Sequence, residues 1–204
     1  MKCCAFLLLF VSLAAGAVER VSVCFNYGCL AQAEVVFADA QLDEIARLLR
    51  AATTPEQERA ELAVAVGRLL GWAGQQTPIA ADRGGNYADM GVDGKMDCID
   101  HSTTTTRLLR MIESRGLLHF HRVLDPALRH RFLVFDHYSA LIEEKAKEAS
   151  DCGCDGETVD EAVKKNDEAP RRFVVDSWFF DNGHPAVVMP LARWQAGESP
   201  NENE

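Results

Sequence analysis

No stretch after the opening residues of this chain is apolar for long enough to cross a bilayer, and even the opening run, Cys3 to Leu13, is short for that task. A membrane-spanning role is therefore not expected. Basic charge is scarce as well, with 21 Lys and Arg against 31 Asp and Glu. A surface of that sign repels phosphate backbones and anionic lipid headgroups, so neither nucleic acid nor a membrane surface is an expected partner. There is no Cys-x-x-Cys motif, so the familiar dithiol redox chemistry is not indicated. No cysteine directly follows Ala17, which argues against a lipid anchor.

What is present begins with an export signal. Lys2 supplies a short basic start, Cys3 to Leu13 the apolar run, and Ala15-Gly16-Ala17 a small-residue cleavage site. Residues 1–17 are read as a signal peptide and Val18 to Glu204 as the mature protein, periplasmic or secreted. That leaves 187 of the 204 residues, one ordinary domain. With Lys2 removed, the net charge moves one unit below the −10 of the whole sequence, which favours a neutral or basic substrate. The expected organisation is a single α+β domain over residues 18–195, with a charged insertion at about 144–171 and an acidic disordered tail over 196–204.

Five cysteines remain after cleavage. Cys24 and Cys29 flank the turn Asn26-Tyr27-Gly28 that follows a short alternating strand, Val21 to Phe25, so a structural disulfide across the turn is expected in an oxidising compartment. Cys152 and Cys154 form a second close couple inside the insertion. Cys98 is left over, and an odd cysteine in an exported protein is either an intermolecular linker or a reactive thiol.

Two amphipathic helices precede it. Asp39 is expected to cap the first, whose stripe is Leu42, Ile45, Leu48 and Leu49. The second opens on Thr54-Pro55-Glu56-Gln57, a capping box with proline at the first helical position. Glu58 and Arg59 read as a solvated pair. Residues 74–97 form a long glycine- and aspartate-rich loop, and loops of that length in a small domain are commonly functional. Asp89, Asp93 and Gly94 resemble the start of a calcium loop, but Gly91 and Asp100 stand where ligands of other types are needed, so no metal is assigned.

Asp97 is a natural N-cap, with Cys98 at the first position of a helix that stops near Gly116. A thiol there meets unpaired amide hydrogens and the positive end of the helix dipole, both of which favour the thiolate. Asp97 and Asp100 oppose this by adding negative charge, so a histidine partner is needed. His101, three residues on, and His137, which opens a strand, are the two candidates. Strands are expected at 118–123, 132–135, 138–142 and 172–176, with a turn at 181–183 and a short helix near 159–165. An antiparallel pairing of the last two strands places Asp176 beside the His137 ring, where an aspartate fixes the tautomer and stabilises imidazolium.

Cysteine at a helix start, histidine opening a strand and aspartate closing the next strand together resemble the transglutaminase-like (papain-like) cysteine proteinase superfamily, in its bacterial exported form. The matching segments are Asp97-Cys98-Ile99-Asp100, His137 to Glu143 and Val174-Val175-Asp176-Ser177-Trp178, with a spacing of 39 positions from Cys98 to His137 and again from His137 to Asp176. The whole chain also resembles small secreted proteobacterial proteins. The resemblance implies an α+β core in which N-terminal helices and the cysteine-bearing helix pack on an antiparallel sheet. It implies Cys98 as nucleophile, His137 as general base and Asp176 as orienting acid.

The expected function is that of an exported thiol hydrolase or acyl transferase acting on amide or isopeptide bonds of a protein or peptide substrate in the cell envelope, with no cofactor. His101, Asp100, Asn86 and Trp178 are secondary candidates. Trp178 is a cleft wall or a core residue, and Gln75, Gln76 or Asn86 would supply an oxyanion donor beside the Cys98 amide. Two other classes stand beside this one: a non-catalytic envelope binding or assembly protein on the same fold, and a metal-binding protein using His101, His119 and His121.

Overall fold

The computed structural model describes residues 18–131, 135–146 and 170–200. Within them the chain is α+β, with two antiparallel sheets and four α-helices. Strands β1 (Glu19–Phe25) and β2 (Ala31–Phe37) form a hairpin, followed by α1 (Asp39–Arg50), α2 (Pro55–Gly74), a 3-10 turn (Pro78–Ala81) and α3 (Cys98–Ser114). Then come β3 (His121–Arg131), β4 (Phe135–Glu144), β5 (Arg172–Asp176), β6 (Val187–Pro190) and the short α4 (Leu191–Gln195). The second sheet has the order β3-β4-β5-β6, every neighbouring pair antiparallel.

The period-2 alternation of strands sorts the sheet's two faces. Ala140, Ile142, Phe173 and Val175 join the main core with the buried stripes of α1, α2 and α3. Leu141 and Val174 point the other way and meet Trp194 of α4 in a smaller cluster. By the same alternation His137 and Asp176 belong to the α4 face, at the end of the sheet where β4 starts and β5 finishes.

Several local expectations change. The cap of α1 is Ala38, with Asp39 already in the first turn, and Gln41 reaches back to accept from the Ala38 amide at 2.9 Å. In α2, Thr54 accepts from the Gln57 amide as the capping box requires, but the Gln57 side chain turns to Thr53 instead of the cap backbone. Glu58 is fully buried, not solvated, and its carboxylate receives the amides of His119 and Phe120 and the His121 ring. Arg59 lies 3.9 Å over the Phe173 ring and joins His121 to Glu144.

The strand expected at 118–123 is instead β3, which begins at His121 and continues through Pro126 to Arg131. Pro126 is tolerated because β3 is a sheet edge and the register shifts between Leu124 and Ala127. Strand β2, β6 and α4 have no counterpart in the sequence reading. Ala196, Gly197 and Glu198, expected to open a disordered tail, instead hydrogen-bond back to α4.

Glu143 pairs with Arg172 and Ala140 with Val175, so β4 leaves the sheet, and β5 enters it, at the end remote from His137 and Asp176. Four residues of strand, about 13 Å, separate the two ends of β5. Glu144 and Arg172, which border the charged insertion, therefore stand at the far end of the sheet from those side chains. Cys152, Cys154, the short helix near 159–165 and the signal peptide lie outside the described residues.

Candidate active site

The site is built around the start of α3. Asp97 caps the helix by accepting from the Ile99 and Asp100 amides, and Asp100 reaches back to the Asp97 amide, completing a reciprocal box. That box fixes Cys98 at the first helical position. The run Thr103 to Thr106, poor in helix propensity, is held by tertiary bonds: Thr104 accepts from the Cys24 amide at 2.9 Å and Thr105 bonds Ser177 at 2.9 Å.

The negative charge beside Cys98 is met by the hairpin turn. Asn26, Tyr27, Gly28 and Cys29 all have φ between +60° and +68°, so four consecutive residues sit in the left-handed region. Only Gly28 adopts that conformation without steric cost. The turn is closed by the Cys24–Cys29 disulfide. It donates the Gly28 amide to Asp97 at 2.9 Å and the Tyr27 and Cys29 amides to Asp100 at 2.8 and 2.6 Å. Asp100 is fully buried, and that burial, with the nearby Asp97 charge, pushes its carboxyl up to about 6 despite the amides.

Across from the helix start, His137 Nε2 lies 2.8 Å from Asp176 Oδ2, and both side chains are buried. Burial opposes a charged ring, but the ring's hydrogen bonds to the Asp176 carboxylate and to Cys98, with the charge of each, outweigh it and raise the His137 pKa to about 9. Cys98 itself is partly buried and free, and its sulfur sits 3.7 Å from the Asp136 carbonyl. The structure thus brings Cys98, His137 and Asp176 together, with the nucleophile candidate reaching over the end of the sheet from the α3 side.

Asp176 is held by two further donors: Trp178, expected only as a cleft wall or core residue, and Trp194, which the sequence reading did not single out. The Trp194 indole N–H donates to Oδ2 at 3.0 Å and the Trp178 amide to Oδ1 at 3.2 Å. Trp194 is fully buried and is itself fixed by Arg129, whose guanidinium lies 4.7 Å over its ring and donates to its carbonyl at 2.7 Å. A tryptophan in a five-residue helix near the end of the chain carries no local signal for such a role. Trp178 packs edge-on against His137 at 5.0 Å between ring centroids, and Tyr87 tilts against Trp178 at 4.7 Å. Trp178 is therefore wall and anchor at once.

The remaining candidates are placed elsewhere. His101 turns away from Cys98: Nε2 meets Asp82 at 3.0 Å and Nδ1 meets Ser177 at 2.9 Å, all three buried. Asp82 also accepts from the Met96 amide, so this relay ties the loop, α3 and the end of β5 together. Asn86 spends both ends of its amide inside the loop, on Asp89 and on the Ala88 N–H. Gln76 pairs with the Val36 backbone. The long loop is pinned by contact: a Cβ on Gly84 would lie 2.4 Å from the Phe179 carbonyl oxygen and from the Phe180 Cα.

The metal expectations resolve in the same way. Asp89 is bonded to Tyr27, Asn86 and the Lys95 ammonium, the last at 3.1 Å. Both ring nitrogens of His101 and of His121 already have protein partners, and His119 is exposed. The three histidines expected to share a metal do not converge. Among the described residues the one cluster of suitable ligand atoms is Cys24, Cys29 and Asp100, and its two sulfurs are joined to each other. No described helix is long and apolar enough to cross a membrane. Comparison with family models, with curated proteins and with solved structures finds nothing that matches this chain.

Proposed function

We propose that the protein is a thiol hydrolase or acyl transferase acting on amide or isopeptide bonds through Cys98, His137 and Asp176, as its resemblance to transglutaminase-like cysteine proteinases implies. One observation carries the reading: the buried His137 ring is bonded to the Asp176 carboxylate, and Asp176 together with the neighbouring Cys98 raises its pKa to about 9. That environment favours a charged imidazolium beside the Cys98 sulfur, the ring form found in activated cysteine–histidine pairs. The sulfur attacks the carbonyl carbon and the tetrahedral oxygen takes the negative charge. The Cys98 backbone N–H, at the first position of α3, is one donor for that oxygen. His137 gives its proton to the departing amine, leaving a thioester. Water, or a second amine in the transfer case, then attacks the thioester while His137 takes up the incoming proton, and the thiolate is restored. Asp176 holds the ring in the required tautomer throughout.

The reading also places the protein outside the reducing cytosol. The Cys24–Cys29 disulfide supports that, together with the export signal expected over residues 1–17.

The test is the rate of alkylation at Cys98 by iodoacetamide at about pH 6.5, followed by peptide mapping, in the native protein and in His137→Gln. A cysteine without a partner is only about 1% ionised at that pH, so the native rate should exceed the variant's roughly tenfold or more. Equal rates in the two proteins would sink the activated pair and leave a non-catalytic binding protein on the same fold.

A further inference from the structure

Large apolar side chains left in water are not scattered over this molecule. Among the described residues there are seven, and only Val18 lies away from the candidate site. The other six are Leu30, Tyr87, Met90, Val92, Ile99 and Phe180, with Leu30, Met90 and Tyr87 between 70% and 85% exposed. They sit on three segments knitted around the start of α3. Leu30 follows the hairpin turn that grips Asp97 and Asp100, and Ile99 adjoins Cys98 itself. Met90 and Val92 flank the Asp89 turn that Tyr27 anchors. Phe180 backs onto Gly84. Tyr87 connects this apolar rim directly to the chemistry, through its contact with Trp178 and the contact of Trp178 with His137.

The charges on the same segments are acidic in balance. Arg83 is paired with Asp181 at 3.6 Å and Lys95 with Asp89 at 3.1 Å, and Asp82 and Asp100 are buried, which leaves Asp93 and Asp97 on these segments, with Asp136 of β4 beside Cys98 as a third acid. Of these, Asp93 accepts from the Asn26 side-chain amide and Asp97 from the Gly28 amide, both neutral donors, while Asp136 faces the His130 ring. A ligand with bulky apolar side chains and neutral or basic flanks gains on both counts, since it covers exposed hydrocarbon and meets an opposite field. A short peptide of small and acidic residues, of the peptidoglycan type, gains on neither.

Resting on the thiol reading above, we infer that the substrate is a polypeptide segment with bulky apolar side chains beside the bond attacked by Cys98, and with neutral or basic residues around it. The rim seats those side chains and so presents the amide to the sulfur. Specificity is then set by hydrocarbon and charge at the mouth of the site, and not by a deep enclosed pocket.

Binding tests this separately from catalysis. The full chain carrying Cys98→Ala is titrated against two fluorescein-labelled dodecapeptides, one with Leu and Phe near its centre and Lys at its flanks, the other built of Ala, Gly and Glu. Fluorescence anisotropy should show saturable binding of the first, at least tenfold tighter than the second. Met90→Ser and Ile99→Ser should each weaken it about fivefold, whereas Val18→Ser should leave it unchanged. All three positions are solvent-facing, so these variants fold. Equal affinity for both peptides, tighter binding of the acidic one, or indifference to the rim substitutions overturns the inference. The alkylation rates decide the thiol reading independently: a rim that binds beside an inert Cys98 preserves the surface and discards the enzyme, and an activated Cys98 beside an indifferent rim does the reverse.

Discussion

Replacing Asp176 by asparagine keeps the size of the side chain and removes the charge that His137 leans on. In the folded protein His137 titrates at about 9, against about 6.5 for a free histidine. A histidine whose pKa is raised by folding stabilises the native state fully below the unfolded value, and that contribution disappears as pH rises through the folded value. With these two values the linkage amounts to about 3 kcal/mol at pH 6, about 2 kcal/mol at pH 7.5 and less than about 0.5 kcal/mol at pH 9.5. Burial opposes the charged ring, and the Asp176 hydrogen bond is the largest of the influences that overcome it, so most of this stabilisation should vanish in Asp176→Asn. Urea unfolding of both proteins at the three pH values measures the difference. The stability gap should be about 2 kcal/mol at pH 6 and should close towards pH 9.5. A gap that does not change with pH would mean that the imidazolium–carboxylate pair is not formed, and the argument for an activated cysteine would go with it.

Two further perturbations examine the groups around that pair. Trp194→Phe keeps the ring but loses the indole N–H that donates to Asp176; stability should fall by about 1 kcal/mol, and Cys98 alkylation at about pH 6.5 should slow severalfold without a loss of native fluorescence from the two other tryptophans. Asp100 has its carboxyl raised to about 6, chiefly by burial. For an acid shifted upward, the native state takes up a proton before the unfolded chain does, so stability should rise as pH falls through about 6 towards 4. In Asp100→Asn that rise should flatten, and an unchanged pH profile between those values would show that burial does not govern this carboxyl.

The parts of the site that were legible in the sequence are those written in local chemistry. Asp97 and Asp100 at a three-residue spacing announce a helix start, and the position of Cys98 follows from them. His137 and Asp176 stand at opposite ends of two apolar runs, so antiparallel pairing alone sets them side by side. What stayed hidden is polar burial between elements distant in the chain. Glu58 and Arg59 look like any solvated pair until His121 arrives from the sheet. His101 looks like a partner for Cys98 until Asp82 and Ser177 claim both its nitrogens. Trp194 has no local mark at all, because its function depends wholly on α4 folding over the back of the sheet. The expected strand stops at Val123, whereas β3 runs on through Pro126, a residue that a strand accepts only at an edge or a bulge, and Pro126 occupies both.

The contributors to this centre come from almost the whole length of the described chain: the turn at 26–29, the loop and helix start at 82–101, then His137, Asp176 and finally Trp194. During synthesis the thiol therefore emerges long before its imidazole, and the indole that steadies the carboxylate emerges last. A nascent or prematurely terminated polypeptide carries the sulfur without the imidazole and carboxylate that stand beside it in the folded chain. On the proposed reading, fragments left by stalled translation would be chemically quiet, as a consequence of chain order alone.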